Sequence, residues 1–199
     1  TGFNGFIGSH LIPKLVNKHD VIGLSHSKTS KLKITQIKKD ITKINEKIFP
    51  TKISTIIHLA AVCDVAFCQD NPLISSKVNI FGTQKILELA RKNDSKVIFL
   101  STSHVFGNPK NTPIDENHKK NTQSIYAATK LAGEALCESY SNSYGLDVAV
   151  ARLFSIYGPN AKNHFVIPSI IKQIISNKTI RLGNIYSKRD FLYVKDAVN

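Results

Sequence analysis

The sequence has no methionine and no tryptophan, only three cysteines, and 14 acidic residues against 27 basic ones. No apolar run reaches the roughly 18 residues that a membrane-crossing helix needs, so no membrane partner is expected. The cysteines, Cys63, Cys68 and Cys137, are odd in number and lack paired C-x-x-C spacing. That pattern argues against a disulfide framework and against a zinc site. They read as reduced thiols of a cytoplasmic protein, and no bound metal is expected. The net charge of +13 raises the question of a nucleic-acid partner. The basic residues are mostly lysines scattered along the chain, with no basic helix and no interleaved aromatics, so no nucleic acid is expected. A basic surface of this kind still attracts an anionic small molecule.

What is present fits an ordinary globular chain. The 199 residues are 42% hydrophobic and 21% charged, enough for one domain or slightly more with a sizeable core. Strand-like and helix-like segments alternate. After the opening glycines, "FIGSHLIPKLVNKH" has helical apolar spacing, with Pro13 bending it or marking a turn. "DVIGLS", "STIIHLAA", "KVIFLS" and "DVAVARLFS" read as strands. "NPLISSKVNIFGTQKILELARKN" reads as one long helix with Pro72 in its first turn and Gly82 at a close approach. "IYAATKLAGEALCESYSNSYG" reads as another, ended by Gly145. The alternation predicts an α/β fold with a mainly parallel sheet and a ligand at the carboxyl ends of its strands. The polar stretch "GNPKNTPIDENHKKNTQ" is expected on the rim of that site. Near residues 155–163 the rhythm weakens. We divide the chain there into residues 1–155, a dinucleotide-binding domain, and 156–199, the start of a substrate-binding region.

Two local patterns carry chemistry. Gly2, Gly5 and Gly8 open "TGFNGFIGSHL", just before a helix. A tight glycine turn lets backbone approach a pyrophosphate, and the helix start offers free N–H groups and a positive dipole end. Tyr126 and Lys130 are four apart on a predicted helix and share one face. An ammonium beside a phenol is expected to lower the tyrosine pKa toward useful acid/base work.

Taken with their order, these motifs resemble the extended short-chain dehydrogenase/reductase family of nucleotide-sugar epimerases, dehydratases and reductases. "TGFNGFIGSHL" resembles its first βα turn, "HLAA" the end of its fourth strand, and "NIFGTQKILELA" its N-x-x-G-T helix. "STSHVFG", "YAATK", "RLFSIYGPN" and "RDFLYVKDAVN" come next in the family's order. The resemblance implies a Rossmann-like, doubly wound parallel sheet and an NAD(P) cofactor. It places that cofactor against Gly2, Gly5, Phe6, Ile7, Gly8, Ser25, Lys28, Asp40, Ile41, Leu59, Ala60, Ala61, Asn79, Tyr126 and Lys130. It assigns catalysis to Thr102, Tyr126 and Lys130, and substrate contacts to Thr102, Ser103, His104, Ser155 and Arg189. It also implies a homodimer.

Departures from the family pattern narrow the reaction. Dehydratases carry Asp-Glu after the threonine, where this chain has Ser103 and His104. The second strand ends in Ser25 with Lys28 close by and no aspartate, which favours NADP(H) over NAD. Ser155 replaces the family's substrate-contacting asparagine, so Arg189 is the better diphosphate ligand. The leading reading is a nucleotide-hexose 4-epimerase. The alternatives are an NADPH-dependent 4-keto-sugar reductase of the dTDP-4-dehydrorhamnose type and a non-catalytic nucleotide-binding regulatory subunit. The family's first strand should run into Thr1, and its substrate domain should continue past Asn199. The expectation is therefore a fragment whose sheet has a gap between its second and fourth strands.

Overall fold

The computed structural model describes residues 1–27, 32–49, 52–176 and 179–199. Three parallel sheets form its frame. In the first, β1 (Ile22–Ser25) pairs with β2 (Thr35–Lys38), Leu24 opposite Ile37. In the second, β3 (Thr55–His58) pairs with β4 (Lys96–Thr102), and β4 with β5 (Val148–Leu153), in the order β3-β4-β5. The third pairs β6 (Ser155–Tyr157) with β7 (Phe191–Tyr193). Parallel strands need crossovers, and helices supply most of them.

Thr1 and Gly2 lie between the first two sheets and bond to both. The Thr1 amine donates to Ile57 O at 2.7 Å, and Leu59 N donates to Thr1 O at 3.3 Å. Gly2 N donates to Leu24 O at 2.8 Å. The strands thus lie in the order β2, β1, Thr1–Gly2, β3, β4, β5, which is the doubly wound arrangement.

The opening helix, α1 (Phe6–Leu15), is shorter than its periodicity predicts. Pro13 lies in its last turn, where it removes one backbone donor. A short α2 (Val65–Asp70), capped by Asp64 accepting from Phe67 N, precedes the long helix of residues 72–93. That long helix is present but not uniform. α3 (Pro72–Ser76) runs into a π turn, Lys77–Phe81, and then α4 (Gly82–Asn93). α5 (Ile125–Tyr144) has the predicted ends. The Ser124 hydroxyl accepts from Ala127 N, and Gly145 stops the helix in the left-handed region at φ 67°.

The core packs this sheet against α4 and α5. Ile56, Val97 and Phe99 from the strands meet Ile86, Leu87 and Ala90 of α4 and Cys137 and Tyr140 of α5. Of the cysteines, all unpaired, Cys68 and Cys137 are buried and Cys63 is exposed. Past residue 155 the βα rhythm resumes, contrary to the sequence reading of a weakening. α6 (Val166–Ile175) and α7 (Val194–Ala197) flank β6 and β7. The sequence reading misses α6, although Ile167, Ile170, Ile171, Ile174 and Ile175 recur at helical spacing; in the fold Ile171, Ile174 and Ile175 are exposed. Nor does that reading reveal β2, since four mostly polar residues at a sheet edge carry little hydrophobic signal. No helix among the described residues is long and apolar enough to cross a membrane.

Gly133 sets the distance between α5 and the sheet. A Cβ there would lie 2.6 Å from Phe99 Cζ, in a ring that is completely buried. Gly133→Ala is expected to destabilise the fold by about 1–3 kcal/mol through overpacking. Urea unfolding of the two proteins checks this.

Candidate active site

The opening turn forms where the two sheets meet. Gly2 has φ +68°, and a Cβ on it would come within 2.8 Å of Ala60 N. A Cβ on Gly8 would lie 2.5 Å from Gly2 O. Both contacts are with backbone, so α1 can sit on the turn only with glycine at these positions. Gly5 caps α1 without a side-chain bond, and no acidic residue occupies the first turn. The first-turn N–H groups, at Phe6, Ile7 and Gly8, have no partner within a helix of this geometry and mark its positive end. Leu59, Ala60 and Ala61 come directly after β3 and line the other side of the turn. Ala60 N donates to Thr1 Oγ1 at 3.2 Å.

The remaining cofactor-side residues have more varied surroundings. Ser25 ends β1, and its hydroxyl donates to Asn4 Oδ1 at 2.7 Å. Lys28 lies outside the described residues. Asp40 Oδ1 accepts from Thr42 N at 2.8 Å and from the Thr42 hydroxyl at 2.9 Å, and the backbone bond holds its carboxyl below the usual range. Ile41 is buried, and a Cβ on Gly82 would meet it at 2.9 Å. Asn79 sits in the π turn, 1% exposed. Its carbonyl accepts from Val62 N, and its amide donates to Val62 O and Thr129 Oγ1. Asn79 therefore fastens the loop after β3 to α5, with its side-chain amide engaged by protein.

The three catalytic candidates come together. Thr102 ends β4 and accepts from His104 N at 3.2 Å. Tyr126 stands in the first turn of α5, with Lys130 one turn on. The His104 ring meets the Tyr126 ring edge-on, with centroids 6.0 Å apart. Burial pushes the Tyr126 phenol up to about 12, nearby Cys63 adds to this, and a hydrogen bond with Thr102 opposes it. The expected lowering of the phenol by Lys130 is thus corrected. The Lys130 ammonium lies 4.1 Å above the Phe99 ring. Burial draws its own pKa down to about 8. Loss of water is the largest cause of both shifts.

Around this pair is a clamp that sequence reasoning overlooked. Glu134, one turn beyond Lys130, is buried and receives both Arg152 Nε and Nη2 at 2.9 Å. The Ser101 hydroxyl donates to it, and Lys120 Nζ is 3.4 Å away. Burial raises the Glu134 carboxyl, but the hydrogen bonds from Arg152 and Ser101 outweigh it and leave the pKa below the ordinary value. The i, i+4 repeat of Tyr126, Lys130 and Glu134 along one helix was the available signal.

On the substrate side, Ser103 and His104 begin the turn after β4. Partial desolvation and the charge of Arg189 hold His104 below its ordinary pKa. Arg189 itself is exposed and donates to Lys188 O. Ser155 starts β6, its N–H on Asp190 O. Beyond them an open groove of about 640 Å³ runs between the turn after β6 and α6, lined by Tyr157, Pro159, Ile167, Pro168, Ile171 and Tyr193. The loop before α6 is tied across to the turn after β3 by His164 Nε2 at 3.3 Å from Asp64 Oδ2.

A phenol and an ammonium one helical turn apart, at the carboxyl edge of a doubly wound sheet, place the chain among the extended short-chain dehydrogenases/reductases. A sequence model is more particular: residues 1–199 match the NAD dependent epimerase/dehydratase family throughout, and the chain belongs to that family. That makes it an NAD-dependent enzyme of the epimerase type, on the isomerase side of the family. A putative UDP-glucose 4-epimerase of Methanocaldococcus jannaschii is 35% identical, the alignment covering 99% of this chain and 69% of that protein. Among solved structures, the UDP-N-acetylglucosamine 4-epimerase of Methanobrevibacter ruminantium, in complex with UDP-N-acetylmuramic acid, superposes with a TM-score of 0.92 at 30% identity. That match covers 99% of this chain and 68% of that one. The UDP-glucuronic acid 4-epimerase of Bacillus cereus, solved with UDP-glucuronic acid and NAD, gives 0.89 at 28% identity, covering 99% and 69%.

Lys130 carries a cost in stability that pH reveals. Its folded pKa of about 8 lies below the ordinary 10.5. The penalty of burying the ammonium is therefore complete below pH 8, and it fades as pH rises toward 10.5. Lys130→Met is expected to be more stable at neutral pH by about 1–3 kcal/mol, once the lost cation–π contact is subtracted. The advantage should shrink steadily in alkaline denaturation series.

Proposed function

We propose that this chain carries the cofactor and catalytic site of a nucleotide-sugar 4-epimerase using NAD and acting at carbon 4 of a UDP-hexose. Residues 1–155 serve the cofactor, and residues 156–199 begin the part that holds the substrate. The observation that carries the reading is Lys130. Its ammonium is 4% exposed and has no hydrogen bond or ion pair among the described residues, four positions after a phenol in contact with Thr102. A buried cation without an acceptor fits a ligand that brings hydroxyls, as a nicotinamide ribose does. The glycine turn fits the same ligand at its other end, since Gly2 and Gly8 leave no room for a Cβ and no side chain caps α1. When bound, the nicotinamide supplies acceptance and return of a hydride.

The chain's own groups handle the proton. Tyr126 takes it from the sugar 4-hydroxyl as carbon 4 loses hydride, and gives it back after the ring presents its other face. No net oxidation results. Thr102, held at the strand end, orients the same oxygen. A phenol at about 12 is a proton donor at neutral pH, so it works as a base only once a cation lies beside it. Ser103 and His104 supply no carboxylate pair for eliminating water, which favours epimerase over dehydratase. The family's 4-epimerases favour it over reductase, and the Tyr-x-x-x-Lys pair favours it over a silent regulatory subunit. Arg189, whose charge reaches His104, is the proposed diphosphate contact. The groove along α6 has the apolar lining to take the rest of the nucleotide.

The preference for NADP(H) in the sequence rests on Ser25 and Lys28. The Ser25 hydroxyl is engaged by Asn4, and the solved B. cereus epimerase holds NAD. We therefore infer NAD, with titration of NAD and NADP side by side as the direct measure.

The expected result with UDP-glucose, UDP-galactose or UDP-glucuronate and NAD is interconversion at carbon 4 without a lasting change in nicotinamide absorbance. Tyr126→Phe should lower turnover by about 10²–10⁴-fold while leaving NAD affinity nearly unchanged. Consumption of NADPH by a 4-keto-sugar, with no interconversion, overturns the reading.

A further inference from the structure

His58 is the largest polar side chain in the fully buried interior, 1% exposed at the end of β3. The acid/base chemistry does not use it. Both its ring nitrogens are nevertheless engaged: Thr1 Oγ1 lies 2.8 Å from Nδ1, and Thr83 Oγ1 lies 3.0 Å from Nε2.

The neighbouring bonds fix which nitrogen carries the proton. The single hydroxyl hydrogen of Thr83 is donated to Asn79 O at 2.6 Å, because a carbonyl can only accept. Thr83 Oγ1 must then accept from His58 Nε2–H. The Thr1 hydroxyl accepts from Ala60 N–H and donates its own hydrogen to the bare Nδ1. A second proton on the ring is opposed by burial and by the Lys130 charge. His58 is the neutral Nε2–H tautomer.

The same logic continues outward. The Thr129 hydroxyl donates to Tyr126 O at 2.8 Å, so its oxygen accepts from Asn79 Nδ2 at 2.9 Å. From the glycine turn to the catalytic helix, each joint is a hydrogen bond with an assigned direction, running through Thr1, His58, Thr83, Asn79 and Thr129. The chain crosses from the opening turn to β3, to the start of α4 and to the first turn of α5.

We propose that His58 is a positioning residue: as a buried Nε2–H imidazole it sets the glycine turn at a fixed distance from the Tyr126–Lys130 face of α5. A cofactor that touches both ends needs that spacing, and misplacement by about 1 Å costs on the order of 10² in rate. The NAD arm of the test rests on the function proposed above, and the spectroscopic arm does not.

In the full chain, ¹⁵N-detected NMR of the His58 ring should give the Nε2–H pattern, unchanged across the neutral range. His58→Phe keeps the ring and removes both bonds. It should weaken NAD binding by at least about 10-fold and lower kcat by about 10–100-fold, and His58→Gln, which restores a donor toward Thr83, should recover most of both. Thr83→Val, which removes one joint at nearly constant volume, should move both in the same direction. Added to His58→Phe it should cost little more, because the two act through one chain. If wild type binds no NAD, yet the tautomer is as assigned and Thr83→Val speeds amide exchange at residues 127–130, the positioning role stands and the cofactor reading falls. An Nδ1–H ring overturns the proposal. So does a folded His58→Phe with lowered Tm but unchanged NAD affinity and kcat. Should His58→Phe not fold, Thr83→Val and the tautomer decide.

Discussion

The site depends on the backbone bonds that tie the glycine turn to the strands on either side of it. β1 and β3 do not pair with each other among the described residues; Thr1 and Gly2 lie between them and bond to both. Buried strand edges must find partners for their peptide groups, and Thr1 and Gly2 provide some of them. The placement of the glycine turn is a by-product of that bonding. Gly2 can lie against Ala60 only because its neighbour is held by Ile57 and Leu59, and α1 can start where it does only because Gly8 closes on Gly2. Sheet assembly and ligand-site assembly are one event in this fold.

Tyr126 and Lys130 live under an opposing constraint. Dry surroundings disfavour the charged form of both Tyr126 and Lys130, one pKa rising to about 12 and the other falling to about 8. Neighbouring groups do little to relieve this. Phe99 offers Lys130 a ring face, and Gly133 makes room for that ring. The nearest carboxylate along the helix, Glu134, is held by Arg152 and Ser101 instead. An ammonium neutralised by its own protein would have less reason to bind anything else. Lys130 is left without an acceptor among the described residues, while the Glu134 clamp one turn away is satisfied.

Much of this was legible in the sequence, and the reasons differ by feature. α5 could be read end to end because Ser124 and Gly145 cap it in the ordinary way, and β4 because its apolar run is at least partly buried on both faces. The glycine turn and the Tyr126–Lys130 spacing are local patterns and survive in one dimension. α6 was legible in the helical spacing of its isoleucines but was passed over, and what the spacing does not tell is that Ile171, Ile174 and Ile175 stay exposed. The chemistry of Tyr126 was misread because spacing reports who is near whom, and desolvation depends on everything else around them. Asn79 was assigned to the cofactor, but its amide is engaged by Val62 and Thr129, bonds that join residues distant in sequence.

The π turn at Lys77–Phe81 constrains how this chain can vary. One extra residue in a turn rotates the downstream helix by about 100° relative to the upstream one. With that residue in place, Asn79 meets α5, Thr83 meets His58, and Ile86 and Leu87 still reach the core. Side chains along the outer face of this segment are free to drift, as exposed Leu73, Ile74 and Phe81 are. Its length is not. Loss of a single residue would swing one set of contacts away while leaving every remaining amino acid as suited to a helix as before. In this stretch, descent under selection should preserve the count of residues more strictly than their identity.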